Sequence, residues 1–186
     1  MKIAGIDYSI CSPAITILDT SSGSCEGYYL TDIKRNVKDC DFGWLKVKGQ
    51  AHNQYLAEEQ RYDHISQWAL DTVEDCDLVV MEDYALGAKG KVFHIGENAG
   101  LLKWKMWRDK ISFKLVGPTT LKKFATGKGN ADKHQVHEAF VETTGLNLVL
   151  EMCPGSTKVA NPVSDLVDSY WLAKYGTQKE MPPVYG

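Results

Sequence analysis

Two apolar runs in this chain end on a carboxylate, and no other feature constrains its fold as tightly. Met1-Lys-Ile-Ala-Gly-Ile-Asp7 and Asp77-Leu-Val-Val-Met-Glu82 are too short for helices and read as buried strands. A charge at the end of a buried strand is costly unless something compensates it. The commonest compensations are a metal and a paired base, so Asp7 and Glu82 suggest a hard-cation site. If the two strands are neighbours, the carboxylates face one another and one takes up a proton. With Mg²⁺ or Mn²⁺ between them both stay ionised and become ligands. The plainer reading makes Asp7 a turn cap and Glu82 a solvated strand end. Either serves for one residue alone; two such strand ends together favour the site.

The rest of the chain supplies a frame for these strands. Lys2–Tyr8, Pro13–Asp19 and Glu26–Thr31 form a three-strand antiparallel opening, with Ser9, Ser12 and Pro13 in the first turn. Residues 32–52 are polar and mixed, with a short strand at Trp44–Val47 the one element they suggest. From about Asn53 to Cys76 the period turns helical, with Tyr62, Ile65, Ala69, Thr72 and Val73 on one stripe. Leu78–Glu82 is the fourth strand and Ser112–Val116 the fifth. Between them a helix from about His94 to Arg108 is apolar on two sides: Ile95, Ala99, Leu102 and Met106, then Gly100, Trp104 and Trp107. Such a helix must bury both sides, one on the sheet and the other against a second subunit. A short helix from Pro118 to Phe124 and one from about Ala131 to Glu142 follow. Residues 145–160 read as irregular, and a last helix opens at Asn161-Pro162, an N-cap followed by proline. This order does not alternate as a parallel α/β sheet does. It predicts a single α/β domain over 1–186, a mixed five-stranded sheet flanked by helices.

Composition narrows the class of protein. A chain of 186 residues suits one well-buried domain. Its net charge of −3 excludes a generally basic nucleic-acid protein but leaves room for a local basic patch. Five cysteines without a C-x-x-C spacing argue against a disulfide framework or zinc site and for a reducing, cytoplasmic setting. No apolar stretch approaches the ~20 residues that span a bilayer, and the N-terminus lacks a signal-peptide pattern. No membrane role is expected.

Asp165 and Asp168 lie three apart on the last helix, on one side of it. On spacing alone they read as acids of a first helical turn, favoured by the helix dipole and facing water. Lys122, Lys123, Lys128 and Lys133 crowd around Gly127 and Gly129, a composition suited to phosphate contact. The loop after Glu82 adds Lys89 and Lys91, with Tyr84 and Phe93 as candidates to stack on bases. Solvated loops account for these lysines about as well. His134 and His137 have metal-pair spacing but no third ligand nearby in sequence, so a structural pair is the better reading.

Gly5-Ile-Asp7, the strand-ending Glu82, the segment Thr126-Gly-Lys-Gly-Asn-Ala-Asp-Lys-His-Gln-Val136 and the terminal Asp-x-x-Asp helix together resemble the RuvC family of Holliday-junction resolvases, its bacteriophage members most closely. The resemblance implies an RNase H-like fold, a homodimer acting on branched DNA and four-way junctions, and four carboxylates binding two Mg²⁺, with Mn²⁺ able to substitute. By position, Asp7, Glu82 and Asp168 match the family's acids and Asp165 a position held by Asp or His. Lys122 and Lys133 fall on its catalytic basic positions. The implied chemistry is in-line hydrolysis of a phosphodiester across two ions ~4 Å apart. Asp7 would bridge the ions, Glu82 and Asp168 would hold one each, and Asp165 would help orient or deprotonate the water. Tyr8-Ser9 replaces the Pro-Gly usual in bacterial members, and Tyr84 and Phe93 compete for the role of the junction-opening aromatic. Strict junction specificity therefore competes with a nuclease for flaps and Y-forks. A non-catalytic junction-binding protein is disfavoured by the presence of all four acids. An actin-like ATP-binding fold is disfavoured because neither a second phosphate loop nor a glycine-rich adenosine segment is found.

Overall fold

A computed structural model describes residues 1–83 and 92–178; Tyr84, Lys89 and Lys91 lie outside them. The strands are β1 (Lys2–Asp7), β2 (Ala14–Asp19), β3 (Cys25–Thr31), β4 (Cys40–Asp41), β5 (Leu45–Ala51), β6 (Leu78–Glu82) and β7 (Phe113–Val116). They form one mixed sheet in the order β4-β5-β3-β2-β1-β6-β7. The first three pair antiparallel as expected, while β6 joins β1 and β7 joins β6 in parallel. The sheet thus has seven strands where the sequence predicts five. The additional two come from residues 32–52: β5 runs parallel to β3, and β4 closes that edge antiparallel to β5. In β5 only Leu45 and Val47 point inward, between outward Lys46 and Lys48, so the strand signal was brief.

Helices α1 (Glu58–Val73) and α2 (Val92–Arg108) cover one face. Ala69, Leu70 and Val73 of α1 and Ala99, Leu102 and Met106 of α2 meet Ala4, Ile6, Ile15, Val79 and Met81 there. On the other face lie α3 (Pro118–Thr126), α4 (Lys133–Thr144), α5 (Leu148–Met152) and α6 (Val163–Tyr175). The single turn α5 stands where residues 145–160 had read as irregular; Asn147 caps it by accepting from the amides of Val149 and Leu150. Strand β1 is buried on both faces, which accounts for its unbroken apolar run.

The sheet-facing layer on the second side is α6 itself, and α3, α4 and α5 pack over it. From Val163 to Ala173 every residue except Asp168 is buried. The reading of a solvated acidic face on this helix is therefore overturned. A Cβ built on Gly5 would lie 2.1 Å from the Ser169 carbonyl oxygen and 2.3 Å from the Ala173 amide nitrogen. Only glycine lets the backbones of β1 and α6 approach so closely. Thr16 and Ser169 share a buried hydrogen bond of 2.7 Å across the same interface. Pro162 occupies the N-cap of α6 and Val163 is its first helical residue, one position later than expected.

Candidate active site

The register of the sheet brings the two strand-end carboxylates together. Ile6 pairs with Met81, so Asp7 and Glu82 come next on adjacent parallel strands. Asp7 shares the face of Ile3 and Gly5, and Glu82 that of Val80, which is the face covered by α6. The close β1–α6 packing at Gly5 then sets the start of α6 against the same strand ends. Asp165 is 6% exposed. Its Oδ2 accepts from Ser12 Oγ at 2.6 Å and its Oδ1 from Ser164 Oγ at 3.0 Å. Ser12 sits in the β1–β2 turn, held by its own amide bonding Ser9 Oγ at 2.9 Å. Ser12 and Ser164 are functional candidates that the sequence reading missed. Ser12 was noted only as a turn residue, and its partner lies 153 positions away.

The electrostatics record the convergence. Burial pushes the Asp7 carboxyl well above its usual range, and Asp165, Asp168 and Glu82 add to the shift in that order. Glu82 is pushed up to about 7 by burial and then by Asp168. Asp168 is pushed up to about 6 by burial and then by Asp165. Asp165 is raised by burial, against the two serine hydrogen bonds that lower it. Lys133 counteracts the rise at all four acids, and Lys122 does so at Glu82 and Asp168. Four carboxylates from three elements thus share one poorly solvated place with two lysines to offset them. The remaining repulsion is what a divalent cation relieves, and the donors are all oxygen, as Mg²⁺ prefers. Among the described residues no three His, Cys, Asp or Glu side chains are gathered closely enough to hold an ion as they stand. The donor chemistry fits the metal; the carboxylates are not drawn into a finished cage.

The glycine–lysine segment proves to be a positioning device. Gly127 ends α3 in the left-handed region at φ 77°, its amide bonding the Lys123 carbonyl. A Cβ on Gly129 would come 2.7 Å from Thr119 Cγ2, so the connector passes tightly over the start of α3. Asp132 then caps α4 in a reciprocal capping box with Gln135. The result places Lys133 at the first position of α4, with Nζ 3.3 Å from Ser164 Oγ. Lys122 and Lys133 thereby join the acids, whereas Lys123 and Lys128 point to solvent. Phe93, in the first turn of α2, is 83% exposed. His137 is buried with Nε2 unpartnered and His134 is exposed, so the two form no metal pair.

A mixed sheet extended by parallel strands beyond β1, with an acid-bearing helix laid across it, is an RNase H-like fold of the RuvC type. Two solved structures of Thermus thermophilus RuvC share it over nearly the whole of both chains. One aligns with a TM-score of 0.60 at 16% identity, covering 99% of this chain and 100% of the other. The second, RuvC in complex with a Holliday junction substrate, gives 0.63 at 13% identity, covering 99% of each. The yeast mitochondrial Holliday junction resolvase Ydc2 gives 0.55 at 13% identity, over 92% of this chain and 75% of that one. No protein-family model and no curated protein sequence matches the chain. Among the described residues, no helix is long and apolar enough to cross a membrane.

Proposed function

We propose that this chain is a metal-dependent endonuclease that hydrolyses phosphodiester bonds in branched DNA, with the four-way junction as its preferred substrate. The observation that carries the reading is the convergence of Asp7, Glu82, Asp165 and Asp168 with Lys122 and Lys133 at the ends of the central strands β1 and β6. The fold supports it, because a solved protein with that fold is RuvC on a Holliday junction substrate. Asp7, Glu82 and Asp168 would hold Mg²⁺ or Mn²⁺, which supplies water activation and leaving-oxygen stabilisation when bound. Asp165, fixed by Ser12 and Ser164, orients the attacking water through its remaining lone pairs. Lys133 and Lys122 place positive charge beside the phosphate as it gains negative charge in the transition state. Lys123 and Lys128, exposed on the same connector, guide the strand.

Cutting two strands of a junction symmetrically calls for two sites, hence a homodimer. Its interface in this reading is the outer side of α2. Trp104 is 52% and Trp107 64% exposed, and with Lys103, Phe113 and Leu115 they line a shallow cavity of 250 Å³ beside the edge strand β7. Exposed tryptophans at a sheet edge are the anchors that interfaces favour. The test is incubation with labelled four-way junction, Y-fork and linear duplex, each with Mg²⁺, Mn²⁺ or EDTA. Cutting of the junction first, and only with a cation, is expected. Equal cutting of the Y-fork would establish a branch-general nuclease. Binding without cutting under any cation would overturn the enzymatic reading.

A further inference from the structure

The segment between β3 and β4, opaque in the sequence, is built onto the same row of the sheet as Asp7. Asp7 pairs with Ala14, Ala14 with Tyr29, and Tyr29 with Gly49, one continuous line across β1, β2, β3 and β5. Ala14 and Tyr29 belong to the core under α6, so this line faces the side on which the carboxylates gather. The Tyr29 ring is fully buried and runs beneath β5 toward the edge. A Cβ on Gly49 would lie 2.4 Å from its hydroxyl oxygen, so only glycine lets it pass. At the edge that hydroxyl donates to the Asn36 carbonyl at 2.6 Å and accepts from the Lys38 amide at 2.9 Å.

Three further bonds hold the same turn. Thr31 Oγ1 accepts from the Ile33 amide, Asp39 Oδ1 from the Gly49 amide, and Lys38 Nζ donates to the Met152 carbonyl on the α6 side. Asp32, which precedes the turn, is neutralised by Arg61 at 2.8 Å. What remains at the tip is Lys34-Arg35, both exposed in a single 3-10 turn, Lys34–Asn36. Among the described residues neither has an ion-pair partner. A buried tyrosine, a required glycine and a tethered lysine are a large outlay for a turn with no core of its own.

We propose that Lys34 and Arg35 form a second contact with the DNA backbone, gripping phosphates on the arm of the junction that leads away from the cut. This rests on the nuclease reading above and names where its substrate continues. Asp7 and Gly49 are three strands apart, roughly 14 Å at about 4.8 Å per strand. DNA advances about 3.4 Å per nucleotide along one strand, so a contact held over Gly49 would lie roughly four nucleotides from the scissile phosphate. The contact is to phosphate alone, so it positions the duplex without reading its sequence.

The experiment is fluorescence anisotropy with a labelled immobile four-way junction in EDTA, from 50 to 200 mM salt. Each lost phosphate contact lowers the slope of log K against log salt by about 0.9. The double variant K34Q/R35Q should therefore lose between about one and two units of slope and bind roughly tenfold more weakly at 0.1 M salt, equally on junctions of different sequence. Tyr29→Phe keeps both charges but frees the turn; it should bind more weakly with its melting temperature checked in parallel. An unchanged slope and affinity in K34Q/R35Q, with wild-type binding intact, would sink this inference while leaving the nuclease reading standing. Failure of the wild type to bind any branched DNA would sink both. Full binding by a folded Tyr29→Phe would overturn the claim that the Tyr29 hydroxyl holds Lys34 and Arg35 in place for the DNA.

Discussion

Helices α6 and α2 invert what their sequences suggest. The sequence of α6 carries Ser164, Asp165, Asp168 and Ser169, yet the helix is buried along almost its whole length. Helix α2, apolar on two sides in its sequence, leaves Trp104 and Trp107 half or more in solvent. The difference lies in the layers. Helix α6 has the sheet beneath it and α3, α4 and α5 above, so even its polar residues must find partners inside. Helix α2 is an outer layer with only one face to satisfy. A buried acid and an exposed tryptophan both run against the hydrophobic effect, and each marks a place where something other than folding sets the residue.

The most severe way to break this contrast is to neutralise the acids of α6 and β1. Asp168→Asn and Asp7→Asn should each lower the rate of junction cutting by about 10³-fold or more, measured at saturating DNA with Mg²⁺. In metal-free buffer at alkaline pH the same variants should melt higher than wild type, since each removes a carboxyl whose ionisation its surroundings and acidic neighbours oppose. Normal cutting by Asp7→Asn would show that the metal site is misassigned. Next in size is Gly5→Ala, which drives a methyl into the backbone of α6 at 2.1 Å. It should cost on the order of 3 kcal/mol or more in urea denaturation, or prevent folding.

The buried acids also predict how stability follows pH. The Glu82 carboxyl stands at about 7 in the folded chain against an ordinary 4.5, so the native state holds more protons than the unfolded state between these values. Stability of the metal-free protein therefore falls as pH rises through that window, by about 3 kcal/mol at most from this residue. Millimolar Mg²⁺ should flatten the fall. A melting temperature that instead climbs from pH 4.5 to 7 would mean the carboxylates are already well compensated.

The smaller effects belong to α2. Replacing Trp104 and Trp107 together by alanine should raise the dimer dissociation constant at least about tenfold in analytical ultracentrifugation, with little change in melting of the monomer. Gly100 has nothing within 4 Å of its absent Cβ. Gly100→Ala should thus stabilise the chain by up to about 1 kcal/mol, the opposite of the same change at Gly5. Equal effects at the two glycines would erase the contrast between inner and outer helix.

Much of the fold was legible because it depends on local period and length. The apolar runs of β1 and β6 and the stripe of α1 are patterns within a dozen positions. Asp7 and Glu82 stood out for the same reason, as charges ending runs that had to be buried. In residues 32–52 only the strand suggested at Trp44–Val47 was legible, and it is the start of β5; β5 shows only two inward residues, and its place is fixed by pairing with β3 and by the Tyr29 ring under Gly49. Ser12 could not be found at all, since its role exists only through a hydrogen bond to a helix at the far end of the chain.

Sequence alone therefore determined most of the succession of strands and helices, the two carboxylates of the sheet and the lysine-bearing connector, all consequences of short-range chemistry. Only the tertiary structure decided that Asp165 is buried and Asp168 largely covered beside Asp7, that Gly5 is the point of contact allowing it, and that the 32–39 turn is tied to the row of the sheet that carries Asp7. Those facts follow from which layers cover which, and burial is a property of the neighbours a residue acquires.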